Sequence, residues 1–276
     1  MIVMAEIVGA FCVPHDPFMT AHTEKADPAQ AARIFAAFEH IRQEMTRRRA
    51  DTVIIIGDDH YALFGPQCQP QMLIAVGDLE GPLEPWLRIE RRSVANNSEL
   101  AEHILHTGLE NGFDFAVSRS MLLDHSVMVP LHLAVPYDVR VVPIYIASGV
   151  YPLISWKRCQ QLGQLLHRAV EQSSHAQRVV VLGTGGLSHW VGMAEMGKVN
   201  REFDSKVLRL IENGDVAGLS SLSDEEILRD GGNGAFELRN WMVAMSAVPG
   251  SRGKLIAYEP MEAWVTGLGL VELVTE

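Results

Sequence analysis

The chain has 276 residues, of which 34 are acidic and 23 are lysine or arginine, and its formal net charge at pH 7 is −11. This balance argues against a nucleic-acid-binding surface, because neutralising phosphates requires clustered lysine and arginine. A hydrophobic content of 47% and a mean hydropathy of +0.07 exclude a disordered chain and indicate a sizeable buried core. The one basic cluster, residues 47–49, is expected at the C-terminus of a helix, where it complements the helix dipole.

The cysteines Cys12, Cys68 and Cys159 are widely spaced and form no CxxC pair. They indicate neither a disulfide framework nor a thiolate zinc site, and they fit a reduced, cytoplasmic setting. The N-terminal run contains Glu6 and no basic segment, so we expect no signal peptide. No apolar run approaches the length that crosses a membrane.

Each of the first two predicted strands is followed by a histidine. Residues 2–10 have the apolar pattern of a buried strand and lead into a stiff, proline-bracketed loop that contains His15. Residues 52–57 are almost all β-branched, which is typical of a parallel strand buried on both faces, and His60 follows them. His60 alone would be explained more simply as a surface-loop residue, but its placement repeats that of His15.

Helices are predicted from apolar residues at helical spacing and from capping residues. The first begins at Asp27 and Pro28, an N-cap followed by proline at the first helical position. Its apolar stripe is expected in the core and consists of Ile34, Phe35, Phe38, Ile41 and Met45. Further helices are predicted over residues 97–111, 155–170, 199–213 and 235–244, with short helices over residues 214–229.

Further strands are predicted over residues 71–76, 254–258 and 267–274. Between the first of these and the next helix, residues 77–92 form an acidic, proline-containing excursion, which we interpret as a lid or a partner contact.

In the middle of the chain, residues 113–118 are predicted as a short strand. Asp124 and His125 then stand where a helix begins, so a carboxylate and a histidine again follow a strand. Residues 139–147 are predicted as a strand, and Pro143 inside it suggests an edge position or an irregularity.

The most informative stretch lies near residue 180. Residues 178–182 form a β-branched strand that breaks into a glycine-rich turn, and His189 follows at once. In an α/β protein, ligands bind where the chain leaves the carboxyl end of a strand. Residues 230–234 are predicted as a flexible hinge that leads to Glu237, near the start of an apolar helix.

The alternation of strands and helices, without a repeat or a linker, predicts a single α/β domain over residues 1–276. Its central sheet is expected to be mainly parallel or mixed and to be flanked by helices. Because the carboxyl ends of parallel strands meet at one edge, four histidines can converge in one cleft: His15, His60, His125 and His189. Histidine with carboxylate and without thiolate indicates a metal enzyme that uses Zn²⁺ or Fe²⁺. The residues alone do not decide which of them bind the metal.

Four segments, in this order and at this spacing, resemble those of a known family: Asp59-His60, residues 124–131, residues 183–189, and Glu237 ahead of Trp241. Over nearly its whole length the chain is similar to the class III extradiol ring-cleavage dioxygenases. These include the protocatechuate 4,5-dioxygenase β-subunit and 2,3-dihydroxyphenylpropionate 1,2-dioxygenase.

The resemblance implies a non-haem Fe(II) dioxygenase that opens the ring of a catechol and incorporates both atoms of O₂. It implies His15, His60 and Glu237 as the iron ligands. It also implies His189 as the catalytic acid and base, and His125 as a second active-site histidine. These residue types agree with the chemistry, because a facial triad leaves iron positions open and an unperturbed histidine titrates near neutral pH.

Two departures from the family pattern bear on the pocket. Ser126 stands where the family often has glycine, and Trp190 stands where glutamine is expected; neither change removes a ligand. Asp59 and Asp124 are either acceptors that orient histidines or residues that form turns.

Resemblances within the family divide over the substrate. Residues 59–61 and 262–269 are more similar to the dihydroxyphenylpropionate type, whereas residues 157–159 and 200–204 are more similar to the protocatechuate type. Both a protocatechuate- or gallate-like and a 2,3-dihydroxyphenylpropionate-like catechol therefore stay open. Some family members have a small helical subunit that this chain lacks, so we expect a homo-oligomer or a complex with such a subunit. We expect no nucleic-acid or membrane partner.

Two other functions fit the same residues. Zn²⁺ in the His/Glu cleft would activate water for hydrolysis. A non-catalytic relative would keep the fold as an interaction module, although such a relative is expected to lose ligands and every candidate ligand is present here.

Overall fold

Strands and helices alternate along most of the chain in a computed structural model that describes residues 4–275. The strands are β1 (Glu6–Val13), β2 (Thr52–Gly57), β3 (Met72–Gly81), β4 (Arg92–Val94), β5 (Ala116–Leu122), β6 (Arg140–Ile146), β7 (Arg178–Thr184), β8 (Arg252–Met261) and β9 (Thr266–Val274). The α-helices are α1 (Phe18–Ala21), α2 (Pro28–Arg47), α3 (Ser98–Glu110), α4 (His125–Ala134), α5 (Trp156–Glu171), α6 (Arg201–Glu212), α7 (Val216–Ser220), α8 (Asp224–Asp230) and α9 (Leu238–Ala247). Residues 2 and 3 of the predicted first strand lie outside the described residues.

These strands form one mixed sheet in the order β4-β3-β6-β2-β7-β1-β9-β8, and β5 pairs with β3. The centre of the sheet, β6-β2-β7-β1, is parallel. Antiparallel strands extend it on both sides: β9 and β8 beyond β1, and β3 and β4 beyond β6. The predicted single α/β domain with a mixed central sheet is confirmed.

The β-branched sequence of β2 explains its central place. Successive side chains of a strand point to opposite faces of the sheet. Ile54 and Ile56 are buried in one apolar cluster with side chains of α5 and α9, and Val53 and Ile55 are buried in the other with side chains of α2 and α4. Helices therefore cover the sheet on both faces.

Helix α2 begins and ends as its sequence predicts. The Oδ1 atom of Asp27 accepts hydrogen bonds from the first-turn N–H groups. The stripe of apolar residues is buried except for Phe35, which is half-buried. At the C-terminus, Arg48 pairs with Glu44 of its own helix and with Glu272 of β9. The basic cluster thus ties α2 to the sheet as well as lying at the helix C-terminus.

Strand β6 lies inside the sheet, so the edge position suggested by Pro143 is wrong, whereas the alternative of an irregularity is right. Pro143 is in register with Ile55 of β2, and the ladder from β6 to β3 ends at the neighbouring Ile144. Proline has no N–H to donate. On the far side of Pro143, Val141 exchanges hydrogen bonds with residues 95–97 instead of β3.

Residues 77–81 continue strand β3 and Arg92 begins β4, so the predicted excursion is shorter than expected. For residues 82–91 the interpretation as a lid or a partner contact stays a prediction. Strand β3 continues to Gly81 and pairs with β4 and with β5, which begins three residues later than predicted. Backbone hydrogen bonds join Leu83 and Glu80 to Leu123. Glu84, the residue after Leu83, is therefore held beside the start of α4.

None of the helices in the described part of the chain combines the length and the apolar character needed to span a bilayer.

We predict that Gly163→Val destabilises the protein by about 1–3 kcal/mol through overpacking. A Cβ atom at Gly163 of α5 would lie 2.4 Å from the carbonyl oxygen of Val243 in α9. Only a shift of the backbone of α5 or α9 can relieve this clash. Urea unfolding followed by circular dichroism measures the change. The matched control is Gln164→Val on the exposed face of α5, which costs only helix propensity. Equal stability of the two variants would contradict the prediction.

Candidate active site

The carboxyl ends of three parallel strands bring three histidines together. His15 follows β1, His60 follows β2, and His189 follows the turn after β7. The ring centroids of His15 and His60 are 5.0 Å apart. The Nε2 atoms of His60 and His189 lie 3.3 Å and 3.5 Å from the same carboxylate oxygen, Oε1 of Glu237. The structure therefore places these predicted site residues in one cleft.

His125 reaches the same cleft, but not for the reason that the sequence suggested. Strand β5 runs parallel to β3, and β3 runs antiparallel to β6, so β5 runs opposite to the central strands. The rule for carboxyl ends of parallel strands does not apply to it. His125 instead begins α4, and its ring centroid lies 4.0 Å from that of His60.

Glu237 is buried at the centre of the cleft. Its Oε2 atom accepts a 2.7 Å hydrogen bond from the N–H of Gly186 and lies 3.3 Å from Nε2 of His15. Burial opposes the carboxylate charge, but the neighbouring His15 and His189 hold the pKa of Glu237 well below its usual range. Gly185 is required beside it, because a Cβ there would lie 2.5 Å from that of Glu237 and its φ is +145°.

The position of the ring hydrogen of His15 follows from Thr184. The Thr184 hydroxyl has one hydrogen, and two carbonyl oxygens, those of Ile56 and Ser126, lie 3.0 Å away to accept it. The hydroxyl oxygen is therefore the acceptor for Nδ1–H of His15, at 3.0 Å. Nε2 of His15 is buried and makes no hydrogen bond to any described residue.

His60 is oriented in the same way by a carboxylate. Its Nδ1–H donates to Oδ2 of Asp124 at 3.2 Å, which leaves Nε2 towards Glu237. Burial opposes charge on both partners, but their contact and further hydrogen bonds to the carboxylate lower the pKa of Asp124 to about 2. Asp124 also caps α4 by accepting from the N–H of Ser126. Of the two roles that the sequence left open, Asp124 has both.

Asp59 has only the turn-forming role. Its oxygens accept from the N–H groups of Leu63 and Phe64, so it forms a turn and makes no hydrogen bond to a histidine in the described structure. The carboxylate that faces the site is Asp58, whose Oδ2 lies 3.7 Å from Nε2 of His60. Burial, with the nearby charge of Glu237 adding to it, raises the pKa of Asp58 although His60 opposes the shift.

His189 is fixed by the backbone. Its Nδ1–H donates to the carbonyl of Leu187 at 3.1 Å, so Nε2 is the nitrogen available to a ligand. Burial disfavours its charge, but Glu237 and this carbonyl outweigh burial and raise the pKa of His189. The N–H of His189 donates to the carbonyl of Gly231, and its own carbonyl accepts from the N–H of Gly234. The predicted hinge at residues 230–234 is thus a largely buried turn bonded to His189.

His125 is held by a residue that the sequence did not single out. Its Nδ1–H donates to Oε1 of Glu84 at 2.7 Å. Burial and the nearby charge of His60 lower the pKa of His125 in spite of this carboxylate, so the ring is neutral and Nε2 is an acceptor. Glu84 lies in an acidic segment without local periodicity, so no sequence signal distinguished it from its neighbours.

Asn240 was also missed. It lies three residues after Glu237 in the buried, mainly apolar helix α9, and its Nδ2 atom donates to Asp58 at 2.9 Å and to the carbonyl of Thr184 at 2.7 Å. A polar side chain on the buried face of an apolar helix was the signal that could have identified it.

The cluster has the donor atoms of a metal site. One potential ligand atom from each of His15, Asp58, His60 and Glu237 lies within 4.8 Å of the others. The unbonded, buried Nε2 of His15 fits a metal ligand, because a buried nitrogen without a partner is otherwise unfavourable. A cavity of about 240 Å³ opens next to these atoms and is also lined by His125 and His189.

Comparison with known proteins agrees with this geometry. Residues 9–269 match the family model described as the catalytic LigB subunit of aromatic ring-opening dioxygenase. The chain belongs to this family. It is therefore an extradiol ring-cleavage dioxygenase, and the resemblance seen in the sequence is confirmed.

Two curated relatives carry the name 2,3-dihydroxyphenylpropionate/2,3-dihydroxicinnamic acid 1,2-dioxygenase. The one from Escherichia coli is 25% identical, and the alignment covers 96% of this chain and 98% of the relative. The one from Burkholderia vietnamiensis is 27% identical, with 94% of each chain covered. A solved structure of an uncharacterized Escherichia coli protein has the same fold, with a TM-score of 0.65, 11% identity, and coverage of 96% of this chain and 99% of that one.

We predict that Thr184→Val weakens binding of a divalent metal by about 10- to 100-fold, because the ring of His15 loses the acceptor that orients it. Competition with a chelator measures the affinity. Thr184→Ser keeps the hydroxyl and should retain the affinity of the unchanged protein. Equal binding by the valine and serine variants would contradict the role assigned to Thr184.

We also predict that metal affinity rises with pH across the neutral range. Burial alone would lower the pKa of His60, but Asp58, Asp124 and Glu237 raise it well above the usual value. His60 is therefore protonated in the metal-free protein at neutral pH, and a metal must displace that proton. Calorimetric titration in buffers of different ionisation enthalpy measures the proton released. Binding without proton release would contradict the prediction.

Proposed function

We propose that residues 1–276 form a single catalytic domain, a non-haem Fe(II)-dependent extradiol dioxygenase that opens the aromatic ring of a catechol with O₂. One observation carries the proposal. His15, His60 and Glu237 are gathered at the strand ends of a ring-opening dioxygenase, and each histidine has its Nδ1 atom bound elsewhere and its Nε2 atom free of the backbone.

The proposed metal ligands are His15, His60 and Glu237. Two imidazoles and one carboxylate form the facial set used by non-haem Fe(II) oxygenases. Zinc accepts the same donors but has no redox chemistry. The family reaction uses O₂, which favours iron. When bound, Fe(II) supplies a redox-active centre through which electrons of the catechol ring reach O₂.

His189 is the proposed acid and base. His189 lines the cavity, and its Nε2 atom lies 3.5 Å from Oε1 of Glu237. This atom can accept the proton of a catechol hydroxyl and return it later to an oxygen of the product. General acid–base catalysis of this kind contributes about 10²- to 10⁴-fold in rate.

His125 is the proposed second active-site histidine. Glu84 fixes its Nδ1–H, and its neutral ring presents Nε2 as a hydrogen-bond acceptor in a cavity that also holds His189. It can therefore accept the hydrogen of the second catechol hydroxyl while His189 takes the proton of the first. Glu84 acts through His125 and is a positioning residue.

The names of the curated relatives support a 2,3-dihydroxyphenylpropionate-like catechol, and the motifs shared with the protocatechuate type support a protocatechuate- or gallate-like one. Assembly as a homo-oligomer, or with a small helical subunit, stays a prediction. Size-exclusion chromatography with light scattering checks it.

The test is O₂ consumption by protein purified without air and loaded with Fe(II), using protocatechuate, gallate, 2,3-dihydroxyphenylpropionate and catechol. O₂ uptake that matches the appearance of a yellow ring-opened product supports the proposal. Protein loaded with zinc is the control and should consume no O₂. Selective retention of four-coordinate zinc, with hydrolytic activity, would replace the dioxygenase with the zinc hydrolase.

We predict that His189→Ala retains iron and loses O₂ uptake by about 10²-fold or more, because the proton acceptor is removed and the three ligands remain. Iron content by metal analysis and O₂ uptake by electrode separate the two effects. His132→Ala, at an exposed position on α4, is the control and should keep full activity. Loss of iron from His189→Ala would contradict the assigned role.

A further inference from the structure

The cavity has a polar part, made by the site residues already described, and an apolar part. The apolar lining consists of Pro17, Phe18, Val191, Met196 and Val265. Among the described residues, no lysine or arginine lines the cavity, and its carboxylates are Asp16 and Glu237. The apolar part of the lining therefore carries no fixed positive charge.

Hydrogen-bond donors could replace a cation in holding a carboxylate, but the polar donors beside the apolar lining are already used. The hydroxyl of Thr266 donates to Oδ2 of Asp16 at 2.6 Å. The N–H of Phe18 donates to Oδ1 of the same carboxylate at 2.7 Å. Both donors are therefore bound to the carboxylate of Asp16 and are not available to a substrate carboxylate.

Backbone N–H groups of the apolar lining are also paired within the protein. That of Val191 donates to the side chain of Asn233 at 2.8 Å. Those of Met196 and Val265 donate to backbone carbonyls at 3.1 Å and 3.0 Å. A substrate carboxylate placed against this wall would lose its water without gaining donors, which is unfavourable.

Two lysines approach the lining from outside the cavity. The Nζ atom of Lys25 lies 5.7 Å from the ring centroid of Phe18, and that of Lys198 lies 4.6 Å from the ring of Trp190. Both ammonium groups are held on aromatic rings, and neither lysine belongs to the lining.

We infer that this dioxygenase prefers catechols whose ring substituent is uncharged and apolar, such as an alkyl or aryl group, over catechols that carry a carboxylate. The inference rests on the proposed function, and it separates this chain from relatives that are named for a phenylpropionate substrate. The apolar wall contributes favourable burial to an alkyl or aryl group and no partner to an anion.

Matched substrate pairs test the inference, because each pair differs mainly in the carboxylate. One pair is 3-propylcatechol and 2,3-dihydroxyphenylpropionate, and the other is 4-methylcatechol and protocatechuate. We expect kcat/KM with the iron-loaded protein to be about tenfold or more higher for the uncharged member of each pair. Anaerobic titration calorimetry should give the same order of affinity without any turnover.

The outcomes distinguish the inference from the proposed function. Higher kcat/KM and tighter binding for the carboxylated members would overturn the inference and leave ring opening established; loss of that preference in Lys25→Met would then identify the cation responsible. Failure of iron-loaded protein to open any of the four compounds would contradict the proposed function itself.

A gain of function provides the second test. Val191 lines the cavity and is 49% exposed, so Val191→Lys adds a cation at the wall without burying it. It should raise kcat/KM for protocatechuate or 2,3-dihydroxyphenylpropionate by about tenfold through charge pairing. Met193→Lys is the matched control, since Met193 is 40% exposed on the same segment and does not line the cavity. Equal effects of the two variants would contradict a role for the wall.

Discussion

A carboxylate buried in the cleft keeps its charge only if hydrogen-bond donors or positively charged groups lie around it, and Glu237 has such neighbours. Its neighbours are the N–H of Gly186 and the imidazoles of His15, His60 and His189. The turn after β7 must come close enough to supply that N–H, which explains glycine at the positions beside it. Glu237 thus accounts for Gly185, whereas His189 and Thr266 lie against Gly186.

The four histidines share one arrangement. In each, Nδ1 is occupied by the protein: by Thr184 for His15, by Asp124 for His60, by Glu84 for His125 and by the Leu187 carbonyl for His189. Fixing one ring nitrogen sets the tautomer and leaves the other for a metal or a substrate. The four acceptors are a hydroxyl, two carboxylates and a carbonyl, and they lie on different elements. All four histidines therefore present Nε2 to the cleft, although a different group binds Nδ1 in each.

Asp124, the acceptor for His60, also accepts hydrogen bonds from two other side chains. One of them belongs to Ser126, the serine that departs from the family pattern. Ser126 donates its hydroxyl to Oδ1 of Asp124 at 2.7 Å, and Tyr145 donates to the same atom at 3.1 Å. Gly57 at the end of β2 accommodates this serine, because a Cβ there would lie 2.5 Å from its Oγ. Trp190, the other departure, is buried and does not line the cavity. The two departures therefore alter the support of the site more than its lining.

The sequence by itself determined the central parallel strands, since long β-branched runs are stable only when both faces are covered. It thereby placed His15, His60 and His189 at one edge of the sheet. The direction of β5, the interior place of β6 and the pairing of Glu84 with His125 were decided by the tertiary structure alone. The hydrogen bonds of His60 to Asp124 and of His125 to Glu84 join residues 64 and 41 positions apart. Local periodicity records which face of an element is buried, but it carries no information about which distant side chain will meet that face.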